Sequence, residues 1–246
     1  MIHIQRCLAQ LCVAVCLLAT PVRAAEFTPA QRAEIVEILR DALRQDPSIL
    51  RDAVGALQAD DGVRQQASSR AAIAAARDAL VDPADPAGGN PKGDVTIVEF
   101  FDTRCPYCRK LEPAMAELLQ RDHGVRLIYK DMPILGPPSV LGSKALLAAH
   151  KQGGYEKLRT AIMNAPPQTT KPIIQEAALR SGLDWKRLEH DMDDPAIQAR
   201  IDANLKLAHA LGIEGTPALV IGGELVPGAV ELPELTKAVA AARTAK

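Results

Sequence analysis

The chain has 246 residues, 48% of them hydrophobic, and 29 basic against 30 acidic side chains for a formal net charge of −1. A chain of this length and apolar content can bury a sizeable core without disulfide staples. With no basic excess and only three Phe, three Tyr and one Trp, it lacks both the charge and the stacking rings of a nucleic-acid surface.

Residues 1–24 read MIHIQRCLAQLCVAVCLLATPVRA, with Arg6 ahead of an apolar run from about Cys7 to Ala19. Val22 and Ala24 stand where small residues precede a signal-peptidase cut. The run is shorter than the roughly 20 residues of a membrane span, so an export signal and a soluble mature chain from near Ala25 are expected. A lipid anchor at Cys12 or Cys16 is disfavoured by Leu11 and Val15, which stand where a small residue is wanted. Loss of Arg6 and Arg23 takes 29 basic residues to 27 against 30 acidic ones, a net charge near −3. Loss of Cys7, Cys12 and Cys16 leaves Cys105 and Cys108 as the mature chain's thiols.

Residues 25–80 carry a helical pattern. Thr28, Pro29 and Gln31 form a helix-starting capping box, and Ile35, Val36, Leu39, Ala42 and Leu43 recur at helical spacing. Asp46 and Pro47 restart a helix whose side carries Leu50, Val54 and Leu57. Residues 63–80 are rich in Ala, Gln and Arg. These stripes are too thin to form a core alone, so homo-oligomer formation through residues 26–80 is one expectation and folding back onto the rest of the chain is the other. Residues 81–94, VDPADPAGGNPKGD, are dense in Pro, Gly and Asp and read as a linker.

From residue 95 the pattern changes. VTIVEFF (95–101) reads as a buried strand, residues 105–121 as a helix, and VRLIYKDMP (125–133) as a second strand. Strand, helix and strand in so short a stretch predict parallel pairing with a right-handed crossover. Helices are expected at about 139–151, 155–164, 171–181, 184–191 and 195–211, with Gly182 and Gly212 at C-caps. Two short strands, ALVIGG and ELVPGA, and a helix at about 232–243 close the chain.

The functional question rests on Cys105 and Cys108 in CPYC. A zinc site needs four ligands, typically Cys and His at close spacing, and His123, His150, His190 and His209 are scattered. Covalent haem needs His directly after the second cysteine, where Arg109 stands. A structural disulfide across two residues would close too small a loop to stabilise much. A redox pair fits better. Cys105 lies between a strand and a helix, where unpaired N–H groups favour a thiolate, and Arg104, Arg109 and Lys110 are expected to add positive potential. Cys108, one helical turn on, is placed to resolve a mixed disulfide. A Cu(I) site on the two sulfurs, in a copper-binding or copper-tolerance protein, is the alternative.

CPYC, with Glu99 six residues before it, Pro113 eight residues after Cys105, GTPALVIGG and the intervening helices, resembles the DsbA family of thiol–disulfide oxidoreductases. The helical N-terminal region and CPYC resemble its ScsC-like subgroup, some members of which are linked to copper tolerance. The resemblance covers about residues 90–246. It implies an α/β, thioredoxin-like fold, with a catalytic domain at 95–246, a helical insertion at about 139–211 and a helical segment in front. It implies catalysis by Cys105 and Cys108, proton handling by Glu99, and a substrate wall of Pro106, Tyr107, Thr216 and Pro217, with Pro217 in cis. It implies no cofactor and no metal. The partners it implies are protein substrates with thiols or disulfides and a membrane redox partner, in the periplasm of a Gram-negative bacterium. Glu99 is read as a lone buried carboxylate in an apolar strand, since an acid there is costly unless used.

Overall fold

The computed structural model describes residues 27–166 and 168–245; the expected export signal lies outside them. The chain divides into two compact units, the first ending at Asp60 and the second starting at Asp61.

The first unit is helical. Helix α1 (Pro29–Gln45) starts where the sequence places it: Gln31 N donates to the Thr28 hydroxyl at 3.3 Å, and Thr28 N donates to Gln31 Oε1 at 2.9 Å. It ends at Asp46, whose carboxylate accepts the backbone N–H of Ser48 at 3.0 Å and so opens α2 (Ser48–Ala75). No residue of α1 is buried. Ile35, Val36, Leu39 and Leu43 from α1, and Leu50, Val54 and Leu57 from α2, all face outward.

In the second unit the last turns of α2 change character. Ile73 is buried, as is Leu80 of α3 (Arg77–Leu80). A five-stranded sheet follows, built from β1 (Ala87–Gly89), β2 (Val95–Phe101), β3 (Val125–Asp131), β4 (Ala218–Ile221) and β5 (Glu224–Pro227) in the order β1-β3-β2-β4-β5. Strands β2 and β3 are parallel, as the crossover predicts, and the other pairs are antiparallel. Alternation along β2 sends Val95, Ile97 and Phe101 to one layer and Val98 and Phe100 to the other.

The first layer holds α4 (Pro106–Arg121) and the helical insertion: α5 (Pro137–His150), α6 (Tyr155–Asn164), α7 (Lys171–Arg180), α8 (Trp185–Asp191) and α9 (Pro195–Ala210). The final helix α10 (Leu232–Thr244) packs there too, through Leu235 and Val239. The second layer is thinner. Ile73, Leu80, Ala208, Leu211 and Ile213 cover Val98, Phe100, Ile128 and Val220. Gly182 and Gly212 follow the caps of α7 and α9 at φ 76° and 70°, the left-handed region that a side chain resists. The architecture is an α/β thioredoxin-like sheet with a helical insertion, as expected.

Two boundaries move. The supposed linker 81–94 contains strand β1, which pairs antiparallel with β3 through Ala87 and Ile128. It also contains the fully buried Asp85, which takes an ion pair from buried Lys130; Arg200 joins Asp82 at 2.6 Å and Asp85 at 3.1 Å. Composition rich in Pro and Gly concealed a segment whose charges find partners only in the fold. The helical segment is likewise not separate up to residue 80, because Ile73 and Leu80 are core residues of the second unit.

Candidate active site

The register decides what meets at one end of the sheet. Phe101 pairs with Asp131 and Phe100 with Ala218, so the loops leaving β2 and β3 and the loop entering β4 lie side by side. Cys105 stands in the first of these loops as the N-cap of α4, with φ −68° and ψ 120°, and Pro106 takes the first helical position. Its Sγ lies 3.1 Å from the Thr216 carbonyl oxygen, which accepts the S–H when Cys105 is protonated. The Thr216–Pro217 peptide is cis. Cys108, a turn further on, is fully buried, and both cysteines are free thiols. Pro106 and Tyr107 face solvent at the rim.

The two thiols have opposite electrostatics. Cys105 is brought down to about 5 by a hydrogen bond from the Cys108 thiol, then by the Thr216 side chain and the backbone N–H groups of Cys108 and Tyr107, against the opposing effect of burial. Cys108 is pushed far above its ordinary value by burial first, then by the neighbouring Cys105. The basic side chains expected to activate Cys105 are otherwise engaged. Arg109 donates to the carbonyls of Met163 at 2.6 Å, Ala165 at 2.5 Å and Thr103 at 2.9 Å. Lys110 pairs with Glu231 at 3.0 Å, and Arg104 donates to the Leu135 carbonyl at 2.7 Å. Neighbouring S–H and N–H donors favour the Cys105 thiolate.

Glu99 lies on the Cys108 side of β2 with no exposed surface. Burial raises it to about 7, although Arg159 opposes this and Glu112 adds to it. Its charge in turn helps to raise Cys108. It is not a lone carboxylate. Arg159 on α6 donates to Glu99 Oε2 at 3.0 Å and to Glu112 at 2.6 Å and 2.8 Å. The guanidinium lies 4.5 Å from the ring centres of both Phe101 and Tyr129, a stacked geometry suited to Arg. A second carboxyl, Asp131, is also raised to about 7 by burial, with Tyr155 donating to it at 2.7 Å.

Cys105, Cys108, Glu99, Thr216 and Pro217 therefore converge, with Pro106 and Tyr107 at the mouth. Arg159 and Glu112 are site residues that the sequence does not single out. The signal for Arg159 was present: Tyr155, Leu158, Arg159 and Ile162 share one buried helical stripe, and an arginine on an apolar stripe asks for a buried acid.

Residues 96–240 match the family described as DSBA-like thioredoxin domain. The chain belongs to this family. Residues 31–62 match the Copper resistance protein ScsC N-terminal domain. Among solved structures, a thioredoxin-like oxidoreductase from Silicibacter pomeroyi is 43% identical, with TM-score 0.67 over 69% of this chain and 99% of that one. Proteus mirabilis ScsC in a transitional conformation is 30% identical, with TM-score 0.66 over 91% of this chain and all of that one (100%). Among curated relatives, the thiol:disulfide interchange protein DsbA of Burkholderia cepacia is 27% identical over 61% of this chain and 79% of its own length. The chain also matches sodium/proton antiporters, of which it spans far less, 28% of the Salinispora tropica protein. This DsbA-like chain thus joins an ScsC-type N-terminal segment to the domain of a thiol–disulfide oxidoreductase family.

Proposed function

We propose that the protein is a periplasmic thiol–disulfide oxidoreductase acting on protein substrates through the CPYC pair. The observation that carries this is the asymmetry of the pair: Cys105 at a helix N-cap, brought down to about 5, beside a Cys108 that holds its proton. Cys105 thiolate attacks a substrate disulfide, forming a Cys105–substrate S–S bond while the other substrate sulfur leaves as a thiolate. Cys108 then gives up its proton and attacks the Cys105 sulfur, and the second substrate sulfur leaves. The substrate has gained two electrons and the pair is oxidised. Run backwards, the same steps oxidise a substrate dithiol. If the freed substrate thiolate attacks the mixed disulfide first, the substrate is isomerised with no net electron transfer. Glu99, poised near neutrality beside Cys108, serves as its proton acceptor, and Arg159 holds that carboxyl in place. Thr216 and Pro217 form the wall along which the substrate backbone lies.

The periplasmic placement is supported by the export pattern of residues 1–24. A membrane redox partner would return the pair to its working state. Residues 27–60 serve as an assembly surface between copies, supported by their outward apolar side chains and the ScsC N-terminal match. Several active sites around one substrate would raise the effective thiol concentration at its disulfides.

The test is direct. Cys105→Ser should abolish insulin reduction and scrambled-ribonuclease reactivation, and Cys108→Ser should accumulate mixed disulfides with substrate. Iodoacetamide alkylation of Cys105 should follow a titration far below the ordinary thiol value of about 8.5; a midpoint at or above that value would remove the basis of the proposal. The measured reduction potential assigns direction, with about −120 mV marking a strong oxidase.

A further inference from the structure

The Thr216 carbonyl lies 3.1 Å from the Cys105 sulfur, and on the β5 side of Thr216 a cleft of about 310 Å³ opens. Ile213, Glu214, Gly215, Thr216, Leu225 and Pro227 help to line it, and Glu214 alone among its described lining residues carries a charge. Glu214 is exposed, and its carboxylate has no ion-pair or hydrogen-bond partner among the described residues. An exposed carboxylate by itself is ordinary solvated surface. Gly215 beside it is the residue that asks for a reason. Its φ lies outside the left-handed region, and a Cβ built there would meet nothing within 4 Å. Neither the turn nor the packing requires glycine, which costs stability by loosening the unfolded chain. What a bare backbone does provide is room for another chain to come close.

We infer that Glu214 is a specificity-determining residue, selecting substrate segments that carry Lys or Arg two positions from the reacting cysteine and pass over the bare backbone of Gly215. The inference rests on the thiol–disulfide reading of the site. Two residues of extended substrate advance by about 7 Å, and Glu214 stands two residues along the chain from Thr216, so a side chain at that distance from the substrate cysteine enters the cleft. A lysine stem lies along Ile213 and Leu225 while its ammonium meets the carboxylate. An exposed ion pair adds little to stability. Discrimination needs only the difference between substrates, and an acidic side chain in the same place is repelled.

The experiment uses the full-length protein and two peptides, identical except for Lys or Glu two residues to either side of their single cysteine. Each carries thionitrobenzoate in a mixed disulfide. The Cys105 thiolate attacks the peptide sulfur, a Cys105–peptide S–S bond forms, and the coloured thionitrobenzoate anion leaves. At low salt the wild type should react with the Lys peptide about fivefold more efficiently, the upper range for an exposed charge pair, and the difference should lie in KM. The ratio should fall toward one in about 1 M salt, where such a pair is screened. Glu214→Gln changes an exposed side chain, so folding is not at stake, and should bring the low-salt ratio close to one; Glu214→Lys should invert it. A merely structural role for Glu214 would slow both peptides alike and keep the ratio. A wild-type ratio near one, or a ratio that the two variants leave unchanged, would overturn the inference; the latter would assign the preference to the overall field of the protein. Failure of the wild type to react with either peptide would instead overturn the thiol–disulfide reading, and the inference with it.

Discussion

The two units of the chain use apolar residues in opposite ways. In residues 27–60 Ile35, Leu39, Leu43, Leu50 and Leu57 all face outward. In residues 61–245 side chains of the same kinds are driven fully inside, Ile97, Leu111, Leu127, Leu146 and Ile174 among them. Periodicity is similar in both, so amphipathic pattern alone does not tell whether a helix face meets its own sheet or another molecule. In the second unit, the faces of the sheet supply the complementary apolar surface that covers such faces.

The largest expected effect comes from removing residues 27–60 while keeping Ile73 and Leu80. The shortened protein should be a monomer by light scattering, should retain insulin reduction, and should lose scrambled-ribonuclease reactivation. A monomeric full-length protein at micromolar concentration would refute the assembly role of those helices.

A second contrast uses one substitution in each unit. Leu80→Ala opens a cavity in the second core layer and should cost about 2–5 kcal/mol in urea unfolding of the domain. Leu39→Ala removes a side chain that is 57% exposed and should leave the domain's midpoint unchanged, while raising the concentration needed for assembly. Equal costs in the two variants would mean that Leu39 is buried by its own chain.

The smallest effect is a pH dependence. Burial lifts Glu99 from 4.5 to about 7, so the folded protein holds a proton there that the unfolded chain has released. That contribution to stability is fully present below about pH 4.5 and is lost as pH rises through 7. Glu99→Gln should therefore be flatter than wild type over this range, gaining up to roughly 2–3 kcal/mol on it by pH 8. The variant's exchange rate should also lose a titration near neutrality. Parallel stability curves would show that Glu99 is not held in its raised state.

Much of this was written in the sequence. The helix limits of the insertion, the parallel β2–β3 pair and the Thr28 cap follow from spacing and local hydrogen-bonding chemistry, which act over a few residues. The pairing of Cys105 with Cys108 is equally local, being one helical turn. What only tertiary structure decided involves partners far apart in the chain. Arg159 reaches Glu99 from 60 residues away, and Lys130 reaches Asp85 across 45, which turns an apparent linker into part of the sheet. Asp102 reaches Ile134 across 32 residues. The sequence announced that Glu99 was buried in apolar surroundings, since a strand alternates and its neighbours were apolar. It could not announce the counter-ion, because a buried charge is satisfied by whichever helix packs over it, and that is settled by the packing of whole layers.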